Sequence, residues 1–264
     1  MELLTNGTGL TAVVFLPLIS ALILTAIPKS QELLIKGFAL VSSIVTFILS
    51  ALLLPQFDFS NADKLQLGNK ISWIKSINAN YEIGIDGISL PLLILSTFIT
   101  VLAIIYSIEH LPEPKSPKGF LALILVLETG MNGTFVALDL ILFFVFFEIV
   151  LLPMYFMIGL WGDKTVRTVA GLKNQIETRL YASIKFFVFT LFGSAFMLLG
   201  FLGLYYRGNR TFSIPELIEL GTNGAFTGTF AMLVFAVLFL GFAVKVPMWP
   251  LHTWLPDAHT AAPT

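Results

Sequence analysis

The chain has 264 residues, of which 56% are hydrophobic, 13% aromatic and only 12% charged. A soluble globular domain carries about 25% charged residues, whereas the mean hydropathy of this chain is +0.89. These values exclude a soluble enzyme, a disordered chain and a fibrous repeat, and they predict an all-α polytopic membrane protein. The net charge of −1 leaves no basic surface for nucleic acid. Because cysteine is absent, iron–sulfur clusters and thiolate metal sites are excluded, so any redox cofactor must lie in another chain.

Seven apolar segments are long enough to cross a membrane. A helix rises about 1.5 Å per residue and the bilayer core is about 30 Å thick, so about 20 apolar residues make one span. The predicted spans lie near residues 10–27, 33–54, 88–108, 120–138, 140–160, 181–205 and 230–250. We expect them to form a single membrane domain over residues 1–264. Short alternating runs in the polar connection 56–87 predict a hairpin, and the basic connection 162–180 predicts a short surface helix.

The basic residues of the connections predict the orientation, because Lys and Arg are enriched in cytoplasmic loops. If the N-terminus is outside, the inside connections hold eight basic residues and the outside connections hold five. The inside set is Lys29, Lys36, Lys115, Lys118, Lys164, Arg167, Lys173 and Arg179, and the outside set is Lys64, Lys70, Lys75, Arg207 and Arg210. We therefore expect the N-terminus and the 56–87 connection outside.

Glu148 lies near the middle of the fifth apolar segment. An ionisable group at the bilayer centre costs at least about 2.5–3.5 kcal/mol, so its presence indicates a use. Five residues later, Pro153 has no N–H and leaves the Ile149 carbonyl without its helical donor. A carboxylate beside a loosened backbone predicts a hydrated site for proton transfer. The alternative is a protonated glutamate that bonds a neighbouring helix.

Lys245 lies in the seventh segment, directly before Pro247 and Pro250. The two prolines remove the donors for the Ala243 and Val246 carbonyls, so we expect the helix to break after the lysine. Broken helices at membrane depth mark ion sites in transporters. Burial disfavours the charged form of a lysine, so such a group can exchange its proton near neutral pH. The alternative is a lysine that snorkels to the membrane surface.

Two further ionisable groups lie in the apolar segments. Glu128, in the fourth segment with Thr129, Asn132 and Thr134 nearby, is either a second carboxylate on a proton path or the partner of a basic side chain in another subunit. Lys185 begins the sixth segment, where an interfacial position and a functional one are both compatible with the sequence.

His252, Asp257 and His259 follow the seventh segment. Their spacing invites a metal site, but Pro256 interrupts it and no fourth ligand is evident in the sequence. We interpret the two histidines as proton carriers between broken helices. The sequence has no phosphate-binding glycine loop and no dinucleotide-binding motif.

Four motifs carry a resemblance to a known family. They are Gly84-Ile-Asp-Gly-Ile-Ser-Leu90, Leu127-Glu-Thr-Gly-Met131, Phe146-Phe-Glu-Ile-Val-Leu-Leu-Pro-Met-Tyr155 with Gly159-Leu-Trp-Gly162, and Lys245-Val-Pro-Met-Trp-Pro-Leu-His-Thr-Trp-Leu-Pro-Asp-Ala-His259. They resemble subunit M of the proton-pumping NADH–quinone oxidoreductase, respiratory complex I, the ND-four-type antiporter-like membrane subunit. The resemblance runs along nearly the whole chain.

The resemblance implies a site and a function. Glu148 matches the family's glutamate of helix five and Lys245 the lysine of broken helix seven, which are the paired charges of the proton channel. Glu128 matches an additional carboxylate of helix four, and the stretch from His252 to His259 matches the connection to helix eight. The implied function is proton translocation, coupled to quinone reduction in neighbouring subunits.

The resemblance also implies the surroundings of the chain. It would be a translocase subunit of the bacterial inner membrane, with other membrane-arm subunits as partners. NADH, flavin, iron–sulfur clusters and quinone would be bound by other subunits, and no cofactor or metal by this one. The alternatives are a subunit of a multisubunit Na⁺/H⁺ antiporter and a structural membrane subunit.

Two features depart from the family pattern. Family members are about twice as long, with fourteen helices that include two inverted repeats, and this sequence ends at Thr264, before helix eight. We therefore expect a truncated chain that corresponds to the N-terminal half and lacks the second half-channel. Ala261 stands where the family often has Glu or Gln, which weakens the polar chemistry expected of this connection.

Overall fold

The computed structural model describes residues 7–168 and 175–263 and is mainly helical. Within these ranges the helices are α1 (Thr8–Ala26), α2 (Glu32–Ala51), α3 (Ser89–Glu109), α4 (Pro117–Val136), α5 (Leu140–Ile149), α6 (Leu151–Trp161), α7 (Thr178–Arg207), α8 (Ile214–Thr222), α9 (Gly228–Lys245) and α10 (Trp254–Ala261). The strands are β1 (Gln66–Ile74), β2 (Ala79–Ile85), β3 (Val166–Thr168) and β4 (Gln175–Glu177). Lys173, which entered the orientation count, lies outside the described residues.

The described part of the chain has seven segments that are long and apolar enough to cross a membrane. They are Thr8–Ala26, Glu32–Gln56, Ser89–Glu109, Pro117–Val136, Leu140–Trp161, Thr178–Arg207 and Gly228–Lys245. The prediction of an all-α membrane protein with seven spans is therefore confirmed. The fifth span consists of α5 and α6, with Val150 between them, and the seventh ends at Lys245.

The chain divides into two compact units, so the prediction of a single membrane domain stays a prediction. The first unit comprises Met1–Leu111, Ser116–Val150 and Thr211–Glu216. In it α1 packs against α2 and α4, and α3 packs against the same two helices. A cluster of buried side chains, among them Leu10, Val13 and Phe146, fills the interior. The second unit comprises Pro112–Lys115, Leu151–Arg210 and Leu217–Thr264.

A hairpin of β1 and β2 belongs to the first unit and confirms the hairpin prediction. The two strands pair antiparallel, from Gln66 opposite Ile85 to Ile74 opposite Ala79. β2 is largely buried, whereas β1 is largely exposed. The hairpin therefore packs through one of its strands, as expected for a half-buried edge.

Asp139 joins this hairpin to the first turn of α5. Its Oδ1 accepts the Ile141 and Leu142 N–H groups at 2.9 and 3.2 Å, which caps the helix. Its Oδ2 accepts the Asn80 N–H of β2 at 2.9 Å. Burial raises the pKa of Asp139, and these backbone hydrogen bonds oppose that rise only in part. The hairpin thus fixes the start of the helix that carries Glu148.

The second unit is organised around α7, which packs against α6, α9 and α10. Its buried cluster includes Leu151, Ile158, Phe186 and Trp254. The connection 162–180 corrects the prediction of a surface helix. Its described residues include β3 and β4, which pair antiparallel, and residues 169–174 lie outside the described part. Val166 and Ile176 are β-branched, so this connection carries strand propensity.

Candidate functional site

Glu128 is the most deeply buried acid of the predicted set. It lies in α4 and has no exposed surface. Neither of its carboxyl oxygens has a hydrogen-bond partner within residues 7–168 and 175–263. An isolated carboxylate is costly in such a place. The side chain therefore suits a group that carries a proton or is bridged by buried water.

Asn132 lies one turn after Glu128 on α4 and supports a proline in α1. Pro17 is inside α1 and has no N–H, so the Val13 carbonyl lacks its helical donor. The Nδ2 group of Asn132 donates to that carbonyl at 3.3 Å, and Ser96 Oγ donates to Asn132 Oδ1 at 3.3 Å. The polar residues noted beside Glu128 in the sequence thus include one that holds α1 and α4 together.

Glu148 lies in the last turn of α5, and its side chain is half-buried. The helix is interrupted two residues later, at Val150, whose N–H donates to the Glu148 carbonyl. Gly130 of α4 faces this interruption. A Cβ at Gly130 would lie 3.1 Å from the Phe146 carbonyl oxygen and 3.2 Å from the Val150 nitrogen. The glycine thus allows α4 to approach the backbone at the Glu148 turn.

Lys245 is the last residue of α9 and is half-buried. The helix ends because Pro247 cannot donate to the Ala243 carbonyl. The Met248 N–H makes that bond instead, at 2.9 Å, and the Val246 N–H donates to the Phe242 carbonyl at 2.7 Å. The predicted break directly after the lysine is therefore present.

Trp254 supplies a hydrogen-bond donor to the carbonyl that this rearrangement leaves without its helical partner. In a continuous helix the Val244 carbonyl would accept the Met248 N–H, which is already used by Ala243. The Nε1–H of Trp254 donates to the Val244 carbonyl at 2.8 Å. The indole is buried, with its ring centroid 5.4 Å from that of Phe186. The first residue of α10 is thus tied both to the end of α9 and to α7.

Lys185 forms an ion pair that the sequence did not reveal. Its Nζ lies 2.7 Å from Asp257 Oδ2, and the two side chains are 23% and 20% exposed. The same Nζ lies 5.7 Å from the Tyr181 ring centroid. Lys185 is the eighth residue of α7, within a candidate span, and Asp257 belongs to α10. A charged pair is therefore largely withdrawn from solvent inside the second unit.

The two histidines occupy different environments. His252 precedes α10, and its Nδ1 is buried and has no partner among the residues that the structure describes. His259 is exposed in the last turn of α10. Over the described ranges, no group of three or more His, Cys, Asp or Glu side chains could hold a metal ion.

The structure adds residues to the predicted site within each unit. In the first unit, α4 with Glu128 packs against α5 with Glu148. In the second, α7 with Lys185 packs against α9, which ends at Lys245, and against α10, which follows His252. Sequence reasoning missed Asp257 as a partner of Lys185, because 72 residues separate the two. It also missed the role of Asn132 at Val13, which is 119 residues away.

Solved structures with a similar fold define the class of this protein. It matches a chain of respiratory complex I from Thermus thermophilus with bound NADH, with a TM-score of 0.76 and 26% identity over 96% of this chain and 47% of that chain. It also matches a chain of the Mrp complex from Dietzia sp. DQ12-45-1b, with a TM-score of 0.74, 17% identity, and coverage of 96% and 25%. The second match supports the fold alone. The architecture is that of the antiporter-like membrane subunits.

Sequence comparisons identify the family within this class. Residues 12–134 match the model for "NADH-ubiquinone oxidoreductase chain 4, amino terminus", and residues 137–264 match that for "NADH:quinone oxidoreductase/Mrp antiporter, TM". NAD(P)H-quinone oxidoreductase chain 4 of Gloeobacter violaceus is 38% identical over 96% of this chain and 44% of its own. NADH-quinone oxidoreductase subunit M of Rhodobacter capsulatus is 39% identical over 97% and 48%.

The chain belongs to the subunit M/chain 4 family of NADH–quinone oxidoreductase. The resemblance predicted from the motifs is therefore confirmed. The chain spans about half the length of the curated relatives that it matches, since it covers 44% of the Gloeobacter protein and 48% of the Rhodobacter protein.

Proposed function

We propose that this chain is a proton-translocating membrane-arm subunit of an NADH–quinone oxidoreductase. The observation that carries the proposal is the break of α9 directly after Lys245, with the Met248 N–H and the Trp254 indole rearranged around it. A lysine at the end of a broken membrane helix is the type of group that transporters use for ions. Family membership supports the coupling to quinone reduction.

In this proposal the chain moves protons and carries no redox centre. The wider complex is a translocase, and NADH, flavin, iron–sulfur clusters and quinone are bound by its other subunits. The partners of this chain are other membrane-arm subunits and lipid. It resides in the bacterial inner membrane with its N-terminus outside.

Glu148 and Lys245 are the proposed central acid and base. Each is an ionisable group in an apolar segment, the acid in the first unit and the base in the second. Glu128, Lys185, His252 and His259 are proposed to extend the route. The complete burial of Glu128 and the buried Nδ1 of His252 support their inclusion.

Substitutions of Lys245 test the proposal most directly. Arginine keeps the positive charge but cannot be deprotonated in proteins. We expect Lys245→Arg to lose most proton pumping, as Lys245→Ala does, when the full-length complex is assayed in membrane vesicles and the rate is normalised to assembled complex. Lys29→Arg, at an exposed position in a loop, is the matched control and retains full pumping.

The same series separates the alternatives. If a fixed charge is enough, Lys245→Arg retains most pumping whereas Lys245→Ala does not. If the lysine only snorkels to the membrane surface, Lys245→Gln is nearly harmless. A fully active Lys245→Arg variant would contradict proton exchange at this residue and leave only an electrostatic role.

Glu148 is tested by removing its charge while retaining its size. We expect Glu148→Gln to assemble normally and to lose most pumping, because the amide cannot accept and return a proton. Glu148→Asp keeps a titratable group at shorter reach and is expected to be milder. Normal pumping by Glu148→Gln in reconstituted vesicles would remove Glu148 from the route.

The orientation is tested with reporter fusions. A fusion after Lys118 and one within residues 163–179 are expected to report a cytoplasmic position, and one near Asn69 a periplasmic position. The expectation follows from the larger number of basic residues in the first set of connections. The reverse pattern would overturn the proposed orientation.

A second candidate function is that of a subunit in a multisubunit Na⁺/H⁺ antiporter. It is favoured by the family model matched by residues 137–264, whose description includes Mrp antiporters. Sodium-driven proton exchange in vesicles without any quinone substrate would support this candidate over the first. A purely structural subunit would be indicated if Glu148→Ala and Lys245→Ala both left transport intact.

A further inference from the structure

We propose that Lys185 and Asp257 form a second acid–base pair on the ion route, in which the charge on Asp257 decides whether Lys185 keeps its proton. The inference rests on the proposed function and deepens it. It assigns a role to Asp257, which lies in α10 beyond the broken helix. It also places the pair wholly within the second unit, together with Lys245.

The geometry of the pair is that of a direct proton-holding contact. Lys185 Nζ donates to Asp257 Oδ2 at 2.7 Å, and about four-fifths of each side chain is withdrawn from solvent. The ammonium also lies 5.7 Å from the Tyr181 ring centroid, within the range of a cation–π contact. Lys185 therefore has a carboxylate and an aromatic ring as its neighbours.

Asp257 is held in place by the contacts of α10 at both ends. At the first residue, the Trp254 Nε1–H donates to the Val244 carbonyl at 2.8 Å. At the last residue, the Ala261 carbonyl accepts the Asp163 N–H at 2.9 Å. Because α10 has only eight residues, these two bonds fix the position of the carboxylate between them. A carboxylate fixed in this way is suited to exchange a proton with Lys185 at a defined distance.

The pair is connected to the break at Lys245 through packed side chains. Val244 directly precedes Lys245 in α9, and its carbonyl accepts the Trp254 indole. The Trp254 ring packs against Phe186, which directly follows Lys185 in α7. The same short helix thus contacts the residue beside one lysine and carries the counter-ion of the other. A change in the charge of Asp257 can therefore alter the packing at the end of α9, next to Lys245.

The proposed exchange moves protons and no electrons. A proton that reaches Asp257 forms an O–H bond at the carboxylate, which becomes neutral. Lys185 then loses its counter-charge, one Nζ–H bond breaks, and the proton passes to water or to the next acceptor. The proton on Asp257 then passes to neutral Lys185, where an Nζ–H bond forms as the O–H bond breaks, and the ion pair is restored. One proton enters at the acid and one leaves at the base.

Stability alone is a poor reason for such a pair. Replacing a buried ion pair by apolar side chains of similar volume is often neutral or stabilising, because desolvation of the two charges is costly. In a chain with 56% hydrophobic residues, apolar side chains in α7 and α10 would be the simpler way to stabilise this contact. His252, five residues before Asp257, adds a buried Nδ1 without a partner among the described residues, a base suited to exchange protons on the same connection.

Lys185→Arg is the sharpest test, because arginine can keep the ion pair but cannot release a proton. We expect the full-length complex with this substitution to assemble normally and to lose most of the protons pumped per NADH oxidised. The same loss is expected for Asp257→Asn, and Asp257→Glu is expected to restore pumping because it returns a carboxylate. Two substitutions at separate exposed positions, Lys164→Arg and Asp63→Asn, are the controls. Both are expected to retain the full number of protons pumped per NADH oxidised.

The outcomes distinguish this inference from the proposed function. If Lys185→Arg and Asp257→Asn pump normally while Lys245→Ala does not, the inference is wrong and Lys185 leaves the route, but the proposed function at Lys245 stands. If all three pump normally, both are wrong. If Asp257→Asn fails to assemble, Lys185→Arg still decides, since a merely structural pair predicts an assembled and fully pumping Lys185→Arg complex.

Discussion

Two membrane helices of this protein meet proline in different ways. In α1 of the first unit, the helix continues through Pro17, and the Asn132 side chain supplies a donor to Val13 at 3.3 Å. In the second unit, α9 ends at Lys245, and the Trp254 indole supplies a donor to Val244 at 2.8 Å. In both units, a side-chain N–H from another helix thus replaces a missing backbone donor.

The two helices also differ in the number of missing donors. A single proline removes one hydrogen bond, and one amide from α4 is enough for α1 to remain helical. Pro247 and Pro250 remove two donors within one turn, so the backbone after Lys245 cannot continue as a helix. The comparison teaches that a carbonyl deprived of its helical donor finds a new partner both where the helix continues and where it ends.

The largest expected effect tests the packing that holds α4 in place. A Cβ at Gly133 would overlap the Phe146 ring of α5, so we expect Gly133→Ala to destabilise the protein by roughly 3 kcal/mol, at the upper end for overpacking. The measurement is thermal unfolding in detergent. Gly37→Ala in α2, where the new Cβ would meet no atom within 4 Å beyond the nearby backbone of its own helix, is the control, and equal stability of the two variants would refute the close packing.

The second expected effect concerns the broken helix. Trp254→Phe keeps a ring against Phe186 but leaves the Val244 carbonyl without its donor, which is expected to cost about 2 kcal/mol. Trp249→Phe, at a side chain that is 84% exposed, removes the same N–H and is the control. If the two variants unfold at the same temperature, the indole does not stabilise the break.

The third expected effect tests the support of α1. Asn132→Leu removes the donor to Val13 and is expected to cost about 1 kcal/mol. In a Pro17→Ala background, the new backbone N–H restores the helical donor, so the same substitution is expected to cost less. A double-mutant cycle in thermal unfolding measures the difference. A cycle without coupling would show that Asn132 does not compensate for Pro17.

The smallest expected effect lies outside the membrane, where Lys70 of β1 contacts Glu216 at 2.7 Å and Glu82 at 3.2 Å. The hydrogen bond from Lys70 lowers the pKa of Glu216, with help from Thr211 and against burial. Because folding lowers the pKa of Glu216, the contact stabilises the folded state at a pH above the ordinary pKa of a glutamate. This stabilisation is lost as the pH falls through the lowered pKa. The contact is therefore expected to weaken as the pH falls below the ordinary pKa of a glutamate.

Hydrogen exchange of the β1–β2 hairpin between pH 3 and 7 measures this effect. Because the pair is exposed, its contribution is expected to be below about 1 kcal/mol. Glu216→Gln is expected to lower the protection near neutral pH and to remove its acid-dependent part. Glu219→Gln, at an exposed position, is the control and leaves the profile unchanged. An acid dependence that persists in Glu216→Gln would assign it to another group.

The spans were predictable because hydropathy and length decide them locally. Seven apolar runs became seven candidate spans, and the two prolines after Lys245 placed the end of α9 correctly. The short helices α8 and α10 were not predicted, because each is shorter than ten residues and carries polar side chains. Their stability comes from packing, which a single sequence does not display.

The site was predictable only as a set of residue types. A charge in an apolar segment is visible in the sequence, which identified Glu128, Glu148, Lys185 and Lys245. The partners are not visible, because the contact between Lys185 and Asp257 joins positions 72 residues apart. Asp257 resembled one member of a metal triad in the sequence, whereas its position in α10 makes it the counter-ion of a lysine.

The length of α7 has a consequence for the lipid environment. Its 30 residues span about 45 Å against a hydrocarbon core of about 30 Å, and such mismatch is relieved by tilting the helix. Tyr205, Tyr206 and Arg207 at its end are residues typical of a membrane surface. Lys185 lies 20 residues before Tyr205, which is the length of one upright crossing. On a tilted helix those 20 residues cover less than the full thickness of the hydrocarbon core, so we expect the tilt to place the Lys185–Asp257 pair deeper than an upright helix would.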